Sequence, residues 1–462
     1  MKLSFHGADR TVTGSCHMLE CAGRRILIDC GMLQGSRELD EENAEPFGFD
    51  PATIDCVLLT HAHLDHCGRL PLLVKRGFRG EIIATAATHE LTRLVLLDAA
   101  HLQAEEARRH SRHAHRHSIH EARPPLFTLT DALDAMDRFG RMANYGTAIE
   151  VFPQIRATFH DAGHILGSAS IFLDIQENGG FRRLLFSGDL GSAGRPLLRA
   201  PVPPGAADVV VMETTYGDRL HRPYRGSVDE LRDAISQTFA RGGNVVIPTF
   251  ALERAQEILF VLRQDVDEGR LPRSLPVYLD SPMAISATEI FERHPDCYSS
   301  EVAKMFAAGR DPFDLPGLQF VRDVADSMAI NRLAGGAVIL AGSGMCTGGR
   351  VRHHLQHNLW RPESSVIFVG YAARGTLARR IIDGAKEVTL WGEDIPVRAA
   401  VHTINGFSAH ADRQELLSWH RQITGCEVTF LVHGEEAAME SMAGELRGTR
   451  VEMPTLHQVF DL

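Results

Sequence analysis

The sequence predicts an α/β fold built in layers, on three observations. Apolar runs of three to five residues recur along the chain, and most break into a Gly, Ser, His or Asp loop at their C-terminal end. Helical patterns lie between several of those runs. The 462 residues exceed one small core and suit two or three domains of roughly 100–200 residues each. Hydrophobic residues at 44% and charged residues at 23% exclude a disordered or fibrous chain, and 41 glycines point to many tight turns.

The strand-like runs are, in order, 26–28 before Asp29, 57–59 before Thr60-His61, and 184–186 before Ser187-Gly188-Asp189. They continue with 209–212 before Glu213, 245–247 before Pro248, 338–341 before Gly342, 366–369 before Gly370 and 430–432 before His433. Residues 252–264 (LERAQEILFVLRQ) and 350–360 (RVRHHLQHNLW) carry helical periodicity. Polar loops at strand ends are where α/β folds place their sites. No internal repeat or long linker interrupts the pattern. Residues 101–120 stand apart, with six His among several Arg. They read as a metal-binding tract or, given the loose spacing, as an exposed basic loop or helix face.

The net charge is 48 − 59 = −11 with His neutral. A surface that grips nucleic acid throughout is basic, so any such contact here requires a local cationic groove, helped by metal ions. Four of the cations are Lys (2, 75, 304 and 386) and 44 are Arg, a bias that fits bidentate phosphate recognition or a GC-rich genome. Eight Cys (16, 21, 30, 56, 67, 297, 346 and 426) form no CxxC pair and no dense framework, so reduced thiols of a cytoplasmic protein are expected. The start, MKLSFHGADRTVTGS, lacks the apolar stretch of a signal peptide. No segment approaches ~18 consecutive apolar residues, so no membrane partner is expected.

The densest signal is Thr60-His61-Ala62-His63-Leu64-Asp65-His66, directly after a strand. Three imidazoles and a carboxylate in one loop are costly to bury without partners, and they suit zinc or a similar divalent ion. Alternate positions point apart, so His61 and His63 can serve one ion while Asp65 and His66 serve a neighbour. Two ions ~3.5–4 Å apart need further ligands and a shared carboxylate. Strand ends offer His164 in DAGHILGS, Asp189 in SGD and His433 in LVHGE, each readable alone as a ligand or as an ordinary loop residue.

With these residues in view, the chain resembles the metallo-β-lactamase superfamily and, within it, the β-CASP nucleic-acid-processing family. It is similar to bacterial and archaeal ribonucleases related to the endonuclease subunit of the eukaryotic cleavage and polyadenylation complex. HAHLDH alone indicates the superfamily. The subfamily rests on TVTGSCHMLE (11–20), DAGHILGSA (161–169), SGDLG (187–191), METTYGDRLH (212–221), IPTFALERAQEIL (247–259), GSGMCTGGR (342–350), GFSAHADRQEL (406–416) and LVHGE (431–435). The resemblance covers essentially the whole chain.

That resemblance implies a metallo-β-lactamase αββα sandwich split by an inserted α/β β-CASP cap domain. The sandwich is expected at 1–208 and 395–462 and the cap at 209–394; simple metallo-hydrolases of the superfamily lack the 221-residue separation of Asp189 from His410. Two Zn2+ per chain are implied, one held by His61, His63 and His164 and the other by Asp65, His66 and His433, with Asp189 bridging. Asp29 would orient the loop from behind. His410 is expected as general acid, Glu213 as the carboxylate that keeps it protonated and aimed, and Asp65 as part of the catalytic set.

Gly-rich turns beside Arg in the cap can cradle phosphate through backbone N–H groups. Arg254, Ser343, Gly344, Arg350 and Arg374 are the expected RNA phosphate contacts. His353 and His357, at i, i+4 with no third ligand, are expected at the surface or facing nucleic acid. Ala372 stands where relatives often carry Gln, and no KH-like domain or C-terminal extension is expected beside the core. The implied activity is zinc-dependent hydrolysis of single-stranded RNA in RNA processing or decay, as an endonuclease with 5′-exonuclease action left open. The rivals are a DNA nuclease of the same family and a thioester or lactone metallo-hydrolase. A silent binding scaffold would lack ligands that this chain retains. A homodimer is left open, and no specific protein partner is inferable.

Overall fold

Alternation along the strands decides the core of the first unit. In Val209–Glu213, Val209 and Val211 face one side of the sheet and Val210 and Met212 the other, and all four are buried. The first pair joins Leu3, Phe5, Ile28, Phe159, Ile171, Phe186 and Phe430 in a core between two seven-stranded sheets. The second packs with Leu416, Trp419, Met439 and Met442 of the helices Arg413–His420 and Glu436–Glu445. The helices Leu70–Lys75, Ala86–His117 and Leu129–Met136 bury Leu70, Leu73, Leu91, Leu96 and Ala132 on the side of the other sheet. The layers therefore run helix, sheet, sheet, helix, as expected.

This computed structural model describes residues 1–35, 37–117, 124–177, 179–203, 205–370, 372–373 and 375–462, with side chains except at 37, 38, 40 and 109–117. One sheet has the order Val459–Asp461, Lys2–Phe5, His17–Cys21, Arg24–Ile28, Cys56–Leu58, Glu81–Thr85, Phe139–Ala143. The other runs Arg450–Glu452, Val428–Val432, Val209–Glu213, Gly180–Phe186, Ala169–Glu177, Ile155–Asp161, Ala148–Phe152. Arg24–Ile28 is parallel to Cys56–Leu58, and Gly180–Phe186, Val209–Glu213 and Val428–Val432 are parallel to one another. Their C-terminal ends thus open along one edge of each sheet.

The described chain divides into two units: Met1–Ala193, Ala200–Leu220 and His410–Leu462 form one, and Gly194–Arg199 with His221–Ala409 the other. Residues 209–220 fall in the first unit because Val209–Glu213 is hydrogen-bonded inside its sheet, whereas the insertion was expected to begin at 209. The second unit extends past the expected 394 because Ala400–Thr403 is the edge strand of its own sheet. That sheet is all-parallel, in the order Leu318–Phe320, Val277–Leu279, Val338–Ala341, Val245–Pro248, Ser365–Phe368, Ala400–Thr403. Its core includes Val246, Ile339, Val366, Phe368, Val351 and Leu355.

The expected helices are present as Arg254–Asp267 and Val351–Asn358. The His-rich tract continues the helix Ala86–His117; residues 118–120 lie outside the described residues, and exposed His101 pairs with Glu105 at 3.4 Å. None of the eight cysteines is in a disulfide. Among the described residues no helix is long and apolar enough to cross a membrane.

Candidate metal centre

The loop after Cys56–Leu58 is held from behind by Asp29, which ends the neighbouring strand in the left-handed region at φ 63°. Asp29 Oδ1 accepts the Thr60 N–H (2.8 Å), and Oδ2 accepts the hydroxyls of Thr60 (2.9 Å) and Ser15 (3.2 Å). Gly31 must be glycine, since a Cβ there would sit 1.7 Å from the Asp65 carbonyl oxygen. His63 lies on extended backbone and starts the one-turn helix Leu64–Cys67, which turns Asp65 and His66 toward a second position. That short helix produces the division expected from alternation. His164 is fixed by Ser168, whose Oγ accepts the N–H groups of His164 (3.0 Å) and Ile165 (3.2 Å). His433 follows Val428–Val432 with a left-handed φ of 50°.

Three clusters of ligand-type atoms result: His61, His63, His164 and Asp189; Asp65, His66 and His433; and Asp189, Glu213 and His410, each within 4.8 Å. In the first, His63 Nδ1 lies 3.1 Å from both His61 Nε2 and His164 Nε2. Asp189 Oδ2 is 3.5 Å from His61 Nε2 and 3.5 Å from His164 Nε2. In the second, His66 Nε2 is 3.3 Å from His433 Nε2, which is 3.5 Å from Asp65 Oδ2. Asp189 Oδ1 faces that set at 3.4 Å from His66 Nε2. One carboxylate therefore presents an oxygen to each group of rings.

The donor set fits divalent metal. His66 Nδ1 donates to Asp29 Oδ2 (2.7 Å) and His61 Nδ1 faces the Thr60 hydroxyl (3.1 Å), leaving the Nε2 lone pairs pointed inward. Thr215 Oγ1 receives His433 Nδ1 at 3.1 Å in the same way. Lone pairs facing each other at 3.1 Å repel unless a cation lies between them, and nitrogens bound tetrahedrally at about 2.0–2.1 Å stand ~3.4 Å apart. Asp189 Oδ1 is buried and makes no hydrogen bond of ordinary geometry.

Burial holds His61 well below its usual pKa and takes His63 down to about 4, so both rings are neutral, as ligands must be. Burial alone would raise the Asp189 carboxyl, but His433, His66 and His61 outweigh it and hold it well below the carboxylate range. Burial likewise opposes a charged His66, yet Asp189 and Asp29 raise that ring well above its usual value. These carboxylates seek positive charge, which metal ions supply in place of protons.

At the rim, His410 Nδ1 lies 3.3 Å from Glu213 Oε1 and 3.8 Å from Asp189 Oδ2. Glu213 is itself fixed by the N–H groups of Leu190 (2.6 Å) and Thr215 (3.2 Å). Burial works against a charged His410, but Glu213 and then Asp189 push its pKa up to about 9. Those two carboxylates favour the protonated ring, a proton donor.

Comparison with known proteins agrees with this arrangement. The metallo-beta-lactamase superfamily matches residues 10–249, the Beta-Casp domain 255–381, and the Zn-dependent metallo-hydrolase RNA specificity domain 394–454. The chain is 44% identical over 455 residues to Ribonuclease TTHA0252 of Thermus thermophilus, covering 98% of each protein. The chain belongs to the β-CASP family of the metallo-β-lactamase superfamily. An RNase J-like protein of Methanocaldococcus jannaschii is 31% identical, over 98% of this β-CASP chain and 97% of that protein. Transcription termination factor FttA of the same organism is 32% identical, over 97% of this chain and 69% of its own length. A crystal structure of a protein of unknown function from Enterococcus faecalis shares the fold, with a TM-score of 0.58 at 12% identity over 100% of this chain and 99% of that one.

Not every expected contact of this β-CASP chain faces outward. Arg350 turns into the second unit, donating from Nη1 to Asp280 Oδ1 (2.6 Å) and the Val321 carbonyl (3.0 Å), and from Nη2 to the Arg322 carbonyl (2.6 Å). Arg254 is buried and ion-paired with Glu257, which also accepts from Arg195 Nε at 2.8 Å. Ser343 and Gly344 lie in the turn after Val338–Ala341, with Gly344 against the Phe250 ring. Arg374 lies outside the described residues. His353 and His357 are exposed, and His353 stacks on Trp391 with ring centroids 5.0 Å apart.

Sequence reading missed Thr60, Ser15 and Thr215, whose hydroxyls fix Asp29 and His433. Thr60 opens the HAHLDH loop and Thr215 follows Glu213 by two, so proximity to a ligand motif was the available signal. It also missed Asp280 and His354, bonded at 2.6 Å across 74 residues of sequence.

Proposed function

We propose that this chain is a dinuclear zinc ribonuclease that hydrolyses phosphodiester bonds of single-stranded RNA. The observation that carries the reading is the pair of ligand sets sharing Asp189, with the His410–Glu213 pair on the same carboxylate. His61, His63 and His164 would hold one ion, Asp65, His66 and His433 the other. What zinc supplies when bound is Lewis acidity toward the phosphate and a nucleophilic water near neutral pH.

The chain's own residues do the rest. Asp29 and Thr60 fix the ring orientations. Glu213 keeps His410 protonated and aimed, and His410 gives its proton to the leaving 3′ oxygen. The products are then a 5′ phosphate and a 3′ hydroxyl. Ser343 and Gly344 are retained as phosphate-facing positions of the second unit, while the ion pairs of Arg350 and Arg254 suit them to positioning rather than to direct contact. Eight cysteines outside any disulfide suit a cytoplasmic location.

The test uses zinc-loaded protein with matched 5′-labelled single-stranded RNA and DNA beside His63→Ala. Metal-dependent RNA cleavage that the variant loses supports the reading, and fragment lengths separate internal cutting from end trimming. Cleavage of DNA alone would overturn the substrate and keep the site. Turnover of a thioester with neither nucleic acid cut would overturn the activity.

A further inference from the structure

A small cavity lies inside the first unit and is lined in part by His66, Asp189 and His433. Its apolar floor is Ile28, Phe186, Val211 and Val432, and besides those three its polar wall includes His17, Asp29, Thr60 and Ser187. The centre of a water molecule has about 20 Å3 to occupy there, above the ~10–15 Å3 that one water needs. His17 belongs to the strand His17–Cys21 and is 4% exposed. Its ring stands edge-on to Phe5 (5.3 Å) and stacks on Phe186 (6.4 Å), so packing fixes its orientation. Its Nδ1 is buried, and among the described residues no group bonds it. A polar ring nitrogen in such a place needs a partner.

The opposite wall can supply one. Asp29 Oδ1 accepts only the Thr60 N–H among the protein donors that reach it, so a lone pair remains. Ser187 Oγ donates to the Gly188 carbonyl (2.6 Å) and accepts the Glu213 N–H (3.0 Å), with capacity for one donor more. A water between these groups would have the two to four polar partners that keep buried water ordered.

We propose that His17 is a positioning residue of the metal centre: its Nδ1 binds an ordered water in this cavity, and the water ties the ring to the Asp29 carboxylate that orients His66. This rests on the metal reading above. Removing His17 Nδ1 loosens Asp29, and with it the His66 ring, without removing a ligand. The effect falls on the ion held by Asp65, His66 and His433 more than on the other. Outer partners of ligands typically change metal affinity by ~10–100-fold.

The test pairs His17→Phe, which keeps an aromatic ring, with His17→Asn, which returns a polar atom near the Nδ1 position. Zinc dissociation constants are measured by chelator competition on each, with zinc per chain read by elemental analysis. We expect His17→Phe to weaken one of two ions by roughly 10–100-fold, and His17→Asn to stay near wild type. A crystal of the zinc-loaded wild-type protein should show a water bonded to His17 Nδ1. Unchanged zinc affinities in His17→Phe, or a dry cavity at His17 in that crystal, would overturn the inference. Should the wild-type chain itself hold fewer than two zinc ions, the metal reading fails separately, and the water at His17 still judges this one. If His17→Phe does not fold, the wild-type crystal decides.

Discussion

Two buried aspartates, one in each unit, stand among histidines just beyond a strand, and they differ in what the histidines face. Asp280 follows Val277–Leu279 and is fully matched. Its Oδ1 accepts from Arg350 (2.6 Å), and its Oδ2 accepts from Ser327 (2.6 Å) and His354 Nε2 (2.6 Å). The other His354 nitrogen faces the Asn331 side-chain oxygen at 2.8 Å. Around Asp189 the ring nitrogens face one another instead, at 3.1 and 3.3 Å, and one carboxylate oxygen lacks a hydrogen bond. The first cluster closes on itself as structure; the second has more lone pairs than protons and calls for cations. Donor–acceptor balance, rather than residue type, separates a structural network from a metal site.

The largest effect that can break this contrast is at Asp189, the proposed bridging carboxylate. Asp189→Asn should cost about 10³-fold or more in RNA cleavage, the scale of a group acting directly on transition-state charge, and should also lower zinc content. An active variant with intact zinc would remove Asp189 from the centre. Next, His410→Ala should lose about 10²–10⁴-fold in rate with two zinc ions retained if, as proposed, it serves as an acid and not as a ligand. Elemental analysis beside single-turnover cleavage separates the two, and loss of an ion on His410→Ala would make it a ligand instead.

Asp280→Ala should do the opposite. It leaves Arg350 and His354 without their carboxylate, so stability should fall by about 3–5 kcal/mol in urea unfolding, with zinc content unchanged. A zinc loss there would erase the distinction between the clusters.

The smallest prediction sharpens the comparison through an intermediate case, the His6 ring, whose Nδ1 lies 3.0 Å from His457 Nδ1. Here one proton suffices for two nitrogens. Burial, with His457, lowers His6 from 6.5 to about 4. A lowered histidine pKa means the unfolded chain binds the proton first, so the native state is fully favoured above pH 6.5 and loses stability as pH falls toward 4. The metal-free chain should thus lose about 2–3 kcal/mol more over that interval than His6→Asn does. Parallel pH profiles for the two would contradict the lowered His6 pKa.

Sequence made one cluster legible and hid the other for a physical reason. HAHLDH places four ligand-type residues within six positions, a density that solvated turns do not need, and the remaining members sit at strand ends that short apolar runs announce. The His410–Glu213 pair spans 197 residues and was reachable through the family resemblance, not through spacing. Asp280 follows a strand, Ser327 lies on the helix Val324–Ile330, and Arg350 and His354 share the start of Val351–Asn358, so three elements far apart in sequence must meet before the cluster exists. For the same reason Arg254 and Arg350 read as phosphate contacts: a sequence shows a guanidinium beside glycines, not the buried carboxylate to which it turns. The unit boundaries were hidden likewise, since Val209–Glu213 reads as a strand in either unit until its neighbours are known.

The most direct test of the central claim is anomalous diffraction at the zinc edge from crystals of the zinc-loaded protein. The account predicts two peaks about 3.5–4 Å apart, one on each side of the Asp189 carboxylate, and none near Asp280. A single peak, no peak at Asp189, or zinc seated beside Asp280 and His354 would contradict it.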